Sequence, residues 1–356
     1  MIQPVITGTG SCIPEVVVPN DAFLSAQFFD KDGGKLYQSN KSIIEKFAAI
    51  TGIEERRYAQ SDLNASDLAH TAALEAIVSS GLDKETLDYI IVAHNFGDVA
   101  FESNRANLVP TLASRVKALL QIQNPDCVAY DLPFGCPGWV EAMIQASYFI
   151  RSGDAKKCLV IGAETLSRII DPHDRDSMIF SDGAGAAVLE AGGPGKKGVL
   201  AHKTQTHAVD LINVLNMQHS CSPFSDGKQD LFIKMQGRKV YEFALSNVPL
   251  VIKSALDKAG VSIEQVSKVL VHQANAKMDK ASLARVFQLY GQTNASEHIM
   301  PMTINKLGNS SVATVPTLLD LLLKGKLKGH SVKEGDIVVL ASVGAGMNVN
   351  AIVYRM

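Results

Sequence analysis

The sequence predicts an α/β protein made of two related halves, and three observations carry that expectation. Short runs rich in Val and Ile alternate with longer amphipathic stretches, the pattern of a buried, largely parallel sheet covered by helices. One segment of the chain recurs about half a chain away. The length of 356 residues supplies core for roughly two domains.

In chain order, 65–80 (ASDLAHTAALEAIVSS) places apolar residues at three- and four-residue intervals and predicts a helix. YIIVAHN at 89–95 predicts a strand, 138–152 (GWVEAMIQASYFIRS) a helix and KCLVIGAE at 157–164 a strand. A helix is predicted over 239–259, and strands over KVLVHQAN at 268–275 and DIVVLASVG at 336–344.

The repeat aligns Gly81–Val92 without gaps on Gly260–Val271, at an offset of 179 residues. A second pair, Gly153-Asp154 before CLVIGAE and Gly335-Asp336 before IVVLASVG, recurs at 182. A period near half the chain indicates two similar halves rather than a solenoid, whose repeats run about 20–50 residues. The boundary is expected at the Gly/Pro/Lys-rich AGGPGKKG of 191–198, giving halves of 1–192 and 198–356.

Composition narrows the class. With 46% hydrophobic and 20% charged residues the chain is an ordinary globular protein, neither disordered nor collagen-like. It holds no apolar run of 18 residues, and its start (MIQPVITGTGSCIPE) lacks the cationic and long apolar regions of a signal peptide, so a soluble cytoplasmic protein is expected. The net charge of −2 is a cancellation: residues 1–190 hold 15 Lys+Arg and 25 Asp+Glu, net −10, and 191–356 hold 19 and 11, net +8. Nine basic residues lie within 234–285, among them Lys234, Arg238 and Lys277. They read either as a solvated helical face or as a docking face for an acidic or phosphate-bearing partner. Nucleic acid is disfavoured, because no basic stretch is interleaved with aromatics.

Five cysteines, at 12, 127, 136, 158 and 221, show neither even pairing nor a C-x-x-C spacing, so no disulfide framework or zinc site is expected. Cys127 and Cys158 lie in β-type sequence and read as core; Cys12 and Cys221 lie in loop-like segments. Cys136 alone follows a strand and precedes a helix, in CVAYDLPFGCPGWVEAMIQ, with Pro137 suited to the first helical position. Ligands of open parallel sheets bind beyond the C-terminal strand ends. The matching crossing of the second half, INKLGNSSVATVPTLLDLL, carries Asn309 ahead of a helix, and His272 arrives at the end of the repeated strand. Related halves would bring these three groups to one cleft.

Their chemistry is complementary. A helix N-terminus favours a thiolate and can lower a Cys pKa well below roughly 8.5. A thiolate can accept an acyl group from a thioester, while a neutral His and an Asn amide can donate hydrogen bonds to a developing enolate. Taken singly, His272 is also explained as a strand-end polar residue and Asn309 as a helix N-cap. Gly8-Thr-Gly10 lacks the third glycine of a dinucleotide fingerprint, GGPGKKG lacks the P-loop spacing, and no G-x-S-x-G or H-E-x-x-H motif is present.

These residues resemble the thiolase-like condensing enzymes, most closely the 3-oxoacyl-(acyl carrier protein) synthase III type. The landmarks run in order along nearly the whole chain: ITGTGSCIPE, TGIEERRYA (51–59), the Cys136 segment, IDPHDR (170–175), FSDGAGAAVLE (180–190), VHQANAK (271–277) and LGNSSVATVP (307–316). The resemblance implies a five-layer αβαβα fold of two pseudo-symmetric halves, a homodimer, and a triad of Cys136, His272 and Asn309. It implies no bound cofactor, phosphopantetheine thioesters as substrates and acyl carrier protein as partner, with neither membrane nor nucleic acid involved. Backbone N–H groups of Cys136 and Ala345 stand for the oxyanion hole, Ala345 replacing a glycine. Arg175 and Asn275 stand for pantetheine-tunnel residues, Met235 and Gly237 for its wall, Lys277 for a carrier-docking Arg, and Phe101 for a residue closing the partner's acyl pocket. Lys46 and Ile50 replace the Trp and Arg that sandwich the CoA adenine, about a dozen extra residues (26–39) precede them, and Leu307 replaces a His. The expected reaction is decarboxylative condensation of a Cys136-bound acyl group with malonyl carrier protein, in fatty-acid initiation or a specialised lipid or polyketide pathway. A non-decarboxylating acyltransferase or head-to-head condenser on the same fold is the alternative; a degradative thiolase would need a second Cys where ASVGAGMN has Ser342.

Overall fold

Two open sheets organise the chain, which the computed structural model describes over residues 2–193, 197–225, 230–293 and 297–356. The first contains β1 (Gln3–Cys12), β2 (Tyr89–His94), β3 (Val128–Pro133), β4 (Lys157–Thr165) and β5 (Asp182–Gly192), in the order β1-β5-β4-β2-β3. The second contains β6 (Gly198–Thr206), β7 (Val266–Val271), β8 (Ile337–Gly344) and β9 (Asn348–Arg355), in the order β6-β9-β8-β7. Part of the expected boundary segment, 194–196, lies outside the described residues.

The sheets are mixed rather than largely parallel. β2 runs parallel to β3 and β4, and β7 parallel to β8, but β5 is antiparallel to β4 and β1, and β9 antiparallel to β8 and β6. The reason is local: parallel neighbours need a crossover, usually an α-helix, and neither the link over 166–181 after β4 nor the turn at Ala345–Met347 contains one. The second sheet has no strand matching β3 among the described residues. Its edge is tied by side chains instead, Lys268 Nζ donating to the His298 carbonyl at 3.0 Å and Gln273 Nε2 to the Pro301 carbonyl at 2.8 Å.

Eight α-helices cover and separate the sheets: α1 (Asn40–Thr51), α2 (Ala65–Ser80), α3 (Leu112–Leu119), α4 (Gly138–Ser152), α5 (Gly237–Ala259), α6 (Ala276–Gln288), α7 (Ile304–Leu307) and α8 (Thr314–Leu323) among the described residues. Three apolar clusters define the layering. Leu68 and Ala72 of α2 and Val116 of α3 pack on Val92 and Ile161 of the first sheet. Trp139 and Met143 of α4 and Leu318 of α8 lie between the sheets, against Val160 on one side and Leu340 and Ile352 on the other. Val251 of α5 and Leu283 of α6 cover Val339 and Val353 on the far face. The layers therefore run α, β, α, β, α. Of the middle pair, α8 is buried nearly all round, as a helix apolar on every face must be, and α4 over most of its faces, with Tyr148 half exposed.

The repeat has a backbone basis. Gly81 and Gly260 end α2 and α5 in the left-handed conformation at φ +68° and +65°, each followed by a 3₁₀ turn and then by β2 or β7. Gly153 and Gly335, at φ +86° and +89°, precede β4 and β8. The glycines of GTG serve packing: a Cβ at Gly8 or Gly10 would strike the backbone of α2. Strand β7 stops at Val271, so His272–Asn275 form the loop into α6 rather than more strand. Cys127 and Cys158 are buried, and Cys12 is the last residue of β1 rather than part of a loop.

Candidate active site

Two cavities, of about 370 and 220 Å³, share Ile179, Met235, Val240, Ala274 and Met278 and so adjoin as the outer and inner parts of one channel. Cys136, His272, Asn309 and Ala345 all line the inner one. The three groups expected from both halves are thus brought together.

Cys136 follows β3 through Gly135, which sits at φ +67° where a Cβ would lie 2.8 Å from the Ala345 carbonyl oxygen. A Cβ at Gly344 would lie 2.7 Å from the Cys136 nitrogen. Glycine at both positions lets the loop of the second half rest directly on the cysteine turn. α4 begins at Gly138, the start of the predicted span, and Pro137 is its N-cap rather than its first helical residue. The thiol does not show the lowered pKa expected of a helix N-terminus. Burial dominates and pushes it up to about 11; the hydrogen bond from Ser311 Oγ to Sγ, at 3.1 Å, opposes this and Glu164 adds to it.

Asn309 is held from both sides by the first half. Its N–H donates to the Ile179 carbonyl at 2.9 Å, and its carbonyl accepts from Ser181 N–H at 2.8 Å. Its Oδ1 accepts from Ser311 N–H at 2.8 Å, which leaves the amide Nδ2 as its donor. The N-cap reading is corrected: a 3₁₀ turn over Ser311–Ala313 intervenes, and Ala313 caps α8. His272 extends the ladder beyond β7, its N–H donating to the Ala341 carbonyl at 2.9 Å. Burial lowers its pKa to about 4, opposed by the Ser311 backbone, so the imidazole is neutral. The neighbouring Gln273 fixes the loop, its Oε1 accepting from Thr303 and Ile304 N–H at 2.9 and 3.0 Å.

Comparison with known proteins places the chain. Residues 130–208 match the family model "3-Oxoacyl-[acyl-carrier-protein (ACP)] synthase III", and residues 256–356 match its C-terminal counterpart. The chain is 33% identical to the beta-ketoacyl-[acyl-carrier-protein] synthase III of Cereibacter sphaeroides, over 99% of both chains. The chain belongs to the 3-oxoacyl-(acyl carrier protein) synthase III family. It is therefore an acyltransferase on the thiolase-like fold. The solved synthase III of Thermus thermophilus superposes with a TM-score of 0.79 at 30% identity, covering 99% of this chain and 98% of that one. That of Aquifex aeolicus gives 0.77 at 29%, covering 99% and 100%.

As a synthase III relative, the chain distributes its remaining expected residues unevenly. Arg175, Met235, Gly237 and Asn275 line the outer cavity, beside Lys46 and Ile50. Asn275 also caps α6, accepting from Met278 N–H at 3.1 Å. Lys277 is exposed on α6, and Phe101 is half exposed with its ring 6.0 Å from the Arg168 guanidinium; neither lines the channel. Lys234 is no part of a docking face: it is buried, with Nζ bonded to Asp171 and Asp174.

Sequence reasoning missed a polar chain behind the cysteine. Asn95 donates through N–H and Nδ2 to Glu164 Oε1, and through Nδ2 to Ser311 Oγ at 3.1 Å; Ser311 in turn donates to Cys136. Burial raises Glu164 to about 7, against neighbouring His94 and the Asn95 bonds. One signal was available, since Glu164 closes the otherwise apolar run of β4. Ser311 carried none, because its role depends on a backbone turn at φ +52°. No group of three or more metal-ligating side chains occurs among the described residues.

Proposed function

We propose that this protein accepts an acyl group on Cys136 and condenses it with malonyl-acyl carrier protein, releasing CO2 and a 3-oxoacyl thioester. The observation that carries the reading is the convergence of a buried thiol, a neutral imidazole and an amide donor on one cavity at the end of a channel. The relatives' names agree with it.

In the loading step the Cys136 sulfur attacks the thioester carbonyl. The Cys136 proton passes to the departing pantetheine thiolate, which suits a thiol that burial keeps protonated at rest. The N–H groups of Cys136 and Ala345 receive the tetrahedral oxyanion. In the second step the malonyl thioester loses CO2, and its carbonyl oxygen, becoming an enolate, accepts hydrogen bonds from His272 and the Asn309 amide. The carbanion then attacks the acyl carbonyl and Cys136 leaves as thiolate. Arg175 and Asn275 flank the pantetheine arm, with Met235 and Gly237 as its wall. Exposed Lys277 contributes to docking the acidic carrier, and Phe101 reaches the partner's acyl pocket in a homodimer.

Release of labelled CO2 from malonyl-acyl carrier protein tests this. The wild type should release one CO2 per condensation, and Asn309→Ala should slow release by about 100-fold or more. Carbon–carbon bond formation without CO2 release would establish the non-decarboxylating alternative.

A further inference from the structure

A void of about 10 Å³ borders His272 and is walled by buried residues. Ala244 and Val248 of α5 close one side, and Asp279 and Ser282 of α6 and Ser342 of β8 supply polar groups. Three fully buried atoms of its lining residues, His272 Nδ1, Asp279 Oδ2 and Ser342 Oγ, have no hydrogen-bond partner. Leaving a buried polar atom unsatisfied costs about 1–3 kcal/mol, so three around one void demand an explanation. The volume stands at the lower bound for one water, roughly 10–15 Å³, and the polar partners number what such a water needs.

We propose that this void holds a single ordered water bonded to His272 Nδ1, Asp279 Oδ2 and Ser342 Oγ, and that Asp279 thereby acts as a positioning residue fixing His272 as its Nε2–H tautomer. The inference rests on the reading of His272 as a donor to the enolate. Burial holds the Asp279 carboxyl well above the ordinary carboxylate range, opposed by its bond to the Asn275 backbone, so it is in the acid form and can donate to the water oxygen. The water then donates one hydrogen to Nδ1 and the other to Ser342 Oγ. With Nδ1 an acceptor, the ring proton must sit on Nε2, the nitrogen left to face the substrate oxygen. An ionised Asp279 would instead favour a proton on Nδ1.

The test uses the full-length protein labelled with 15N-histidine, His272 being assigned by its loss in His272→Asn. NMR should show the Nε2–H tautomer in the wild type and its loss in Asp279→Leu. Asp279→Leu should also slow CO2 release about tenfold while acyl loading of Cys136 stays within about twofold; Asp279→Asn, whose amide can donate to the same water, should stay within about threefold of wild type. Ser342→Ala, a smaller change that serves if Asp279→Leu does not fold, should slow CO2 release about threefold and leave loading unchanged. An unaltered tautomer and rate in Asp279→Leu or Ser342→Ala would overturn the proposal, as would equal losses in Asp279→Asn and Asp279→Leu. The tautomer is read without turnover. A shifted tautomer in a protein that never decarboxylates malonyl thioesters would refute the reaction and leave the water's role standing.

Discussion

At Cys136 two influences compete, and the sequence displays only one of them. The strand-to-helix crossing in FGCPGW is legible, but the burial that pushes the thiol to about 11 comes from a loop and a turn more than 170 residues away in sequence, around Ser311 and Ala345. The same distance hides Ser311, whose Oγ–H is the one side-chain hydrogen bond given to Sγ among the described residues. Hydrogen bonds to a charged group contribute about 1.5–3 kcal/mol, so this one should favour the thiolate appreciably. Ser311→Ala is expected to slow alkylation of Cys136 by iodoacetamide at fixed pH by roughly tenfold or more. An unchanged alkylation rate would show that the bond does not act on the thiolate.

Among the elements, those bounded by local signals were read closely and those bounded by tertiary contacts were not. Helix α4 ends where Gly153 turns left-handed, and its predicted span of 138–152 is the one observed. The missing counterpart of β3 and the 3₁₀ turn after Asn309 have no periodic signature, because both are set by bonds to the other half or to β7. The short antiparallel pair Leu215–Gln218 and Phe232–Met235, which supplies Leu215, Met217, Ile233 and Met235 to the inner cavity, is anchored in the same way. Its anchor is Lys234 on Asp171 and Asp174. Asp171 is held below the usual carboxylate range: burial raises it, but the Lys234 bond and the Cys221 and His173 N–H groups outweigh that. Lys234→Met would strand a buried carboxylate, and the expected cost is about 3–5 kcal/mol, read as a lowered midpoint in denaturant unfolding. Asp171→Asn added to Lys234→Met should recover part of the loss. If Lys234→Met left the midpoint unchanged, the buried pair would not hold this wall.

For the molecule as a whole, a buried carboxyl links folding to pH. Glu164 titrates near 7 in the folded protein against an ordinary 4.5, because burial outweighs His94 and the Asn95 bonds. A raised carboxyl favours the fold while protonated, so its contribution is complete below pH 4.5 and is lost as pH rises through 7. Glu164→Gln, which keeps an acceptor for Asn95, should therefore match the wild type near pH 4.5. It should exceed the wild type increasingly up to pH 7, by about 3 kcal/mol, with the gap constant above that. Paired denaturant titrations at several pH values check this, and a gap that does not change with pH would contradict it.

The charge asymmetry belongs to the same scale. The net −10 and +8 of the two halves are visible in the sequence, but only the structure sorts the basic residues. Lys234 is internal, Arg238 and Lys253 pair with Glu242 and Asp257 one turn on, and Lys277 stays at the surface.

The central claim is that Cys136, alone of the five cysteines, carries the acyl group. Incubating the protein with acyl thioesters of coenzyme A and of acyl carrier protein, then locating the added mass by peptide mapping, tests it most directly. One acyl group on Cys136, absent from Cys136→Ala, is the predicted result. No adduct from any donor, or an adduct on Cys12 or Cys221 that persists in Cys136→Ala, would contradict the account.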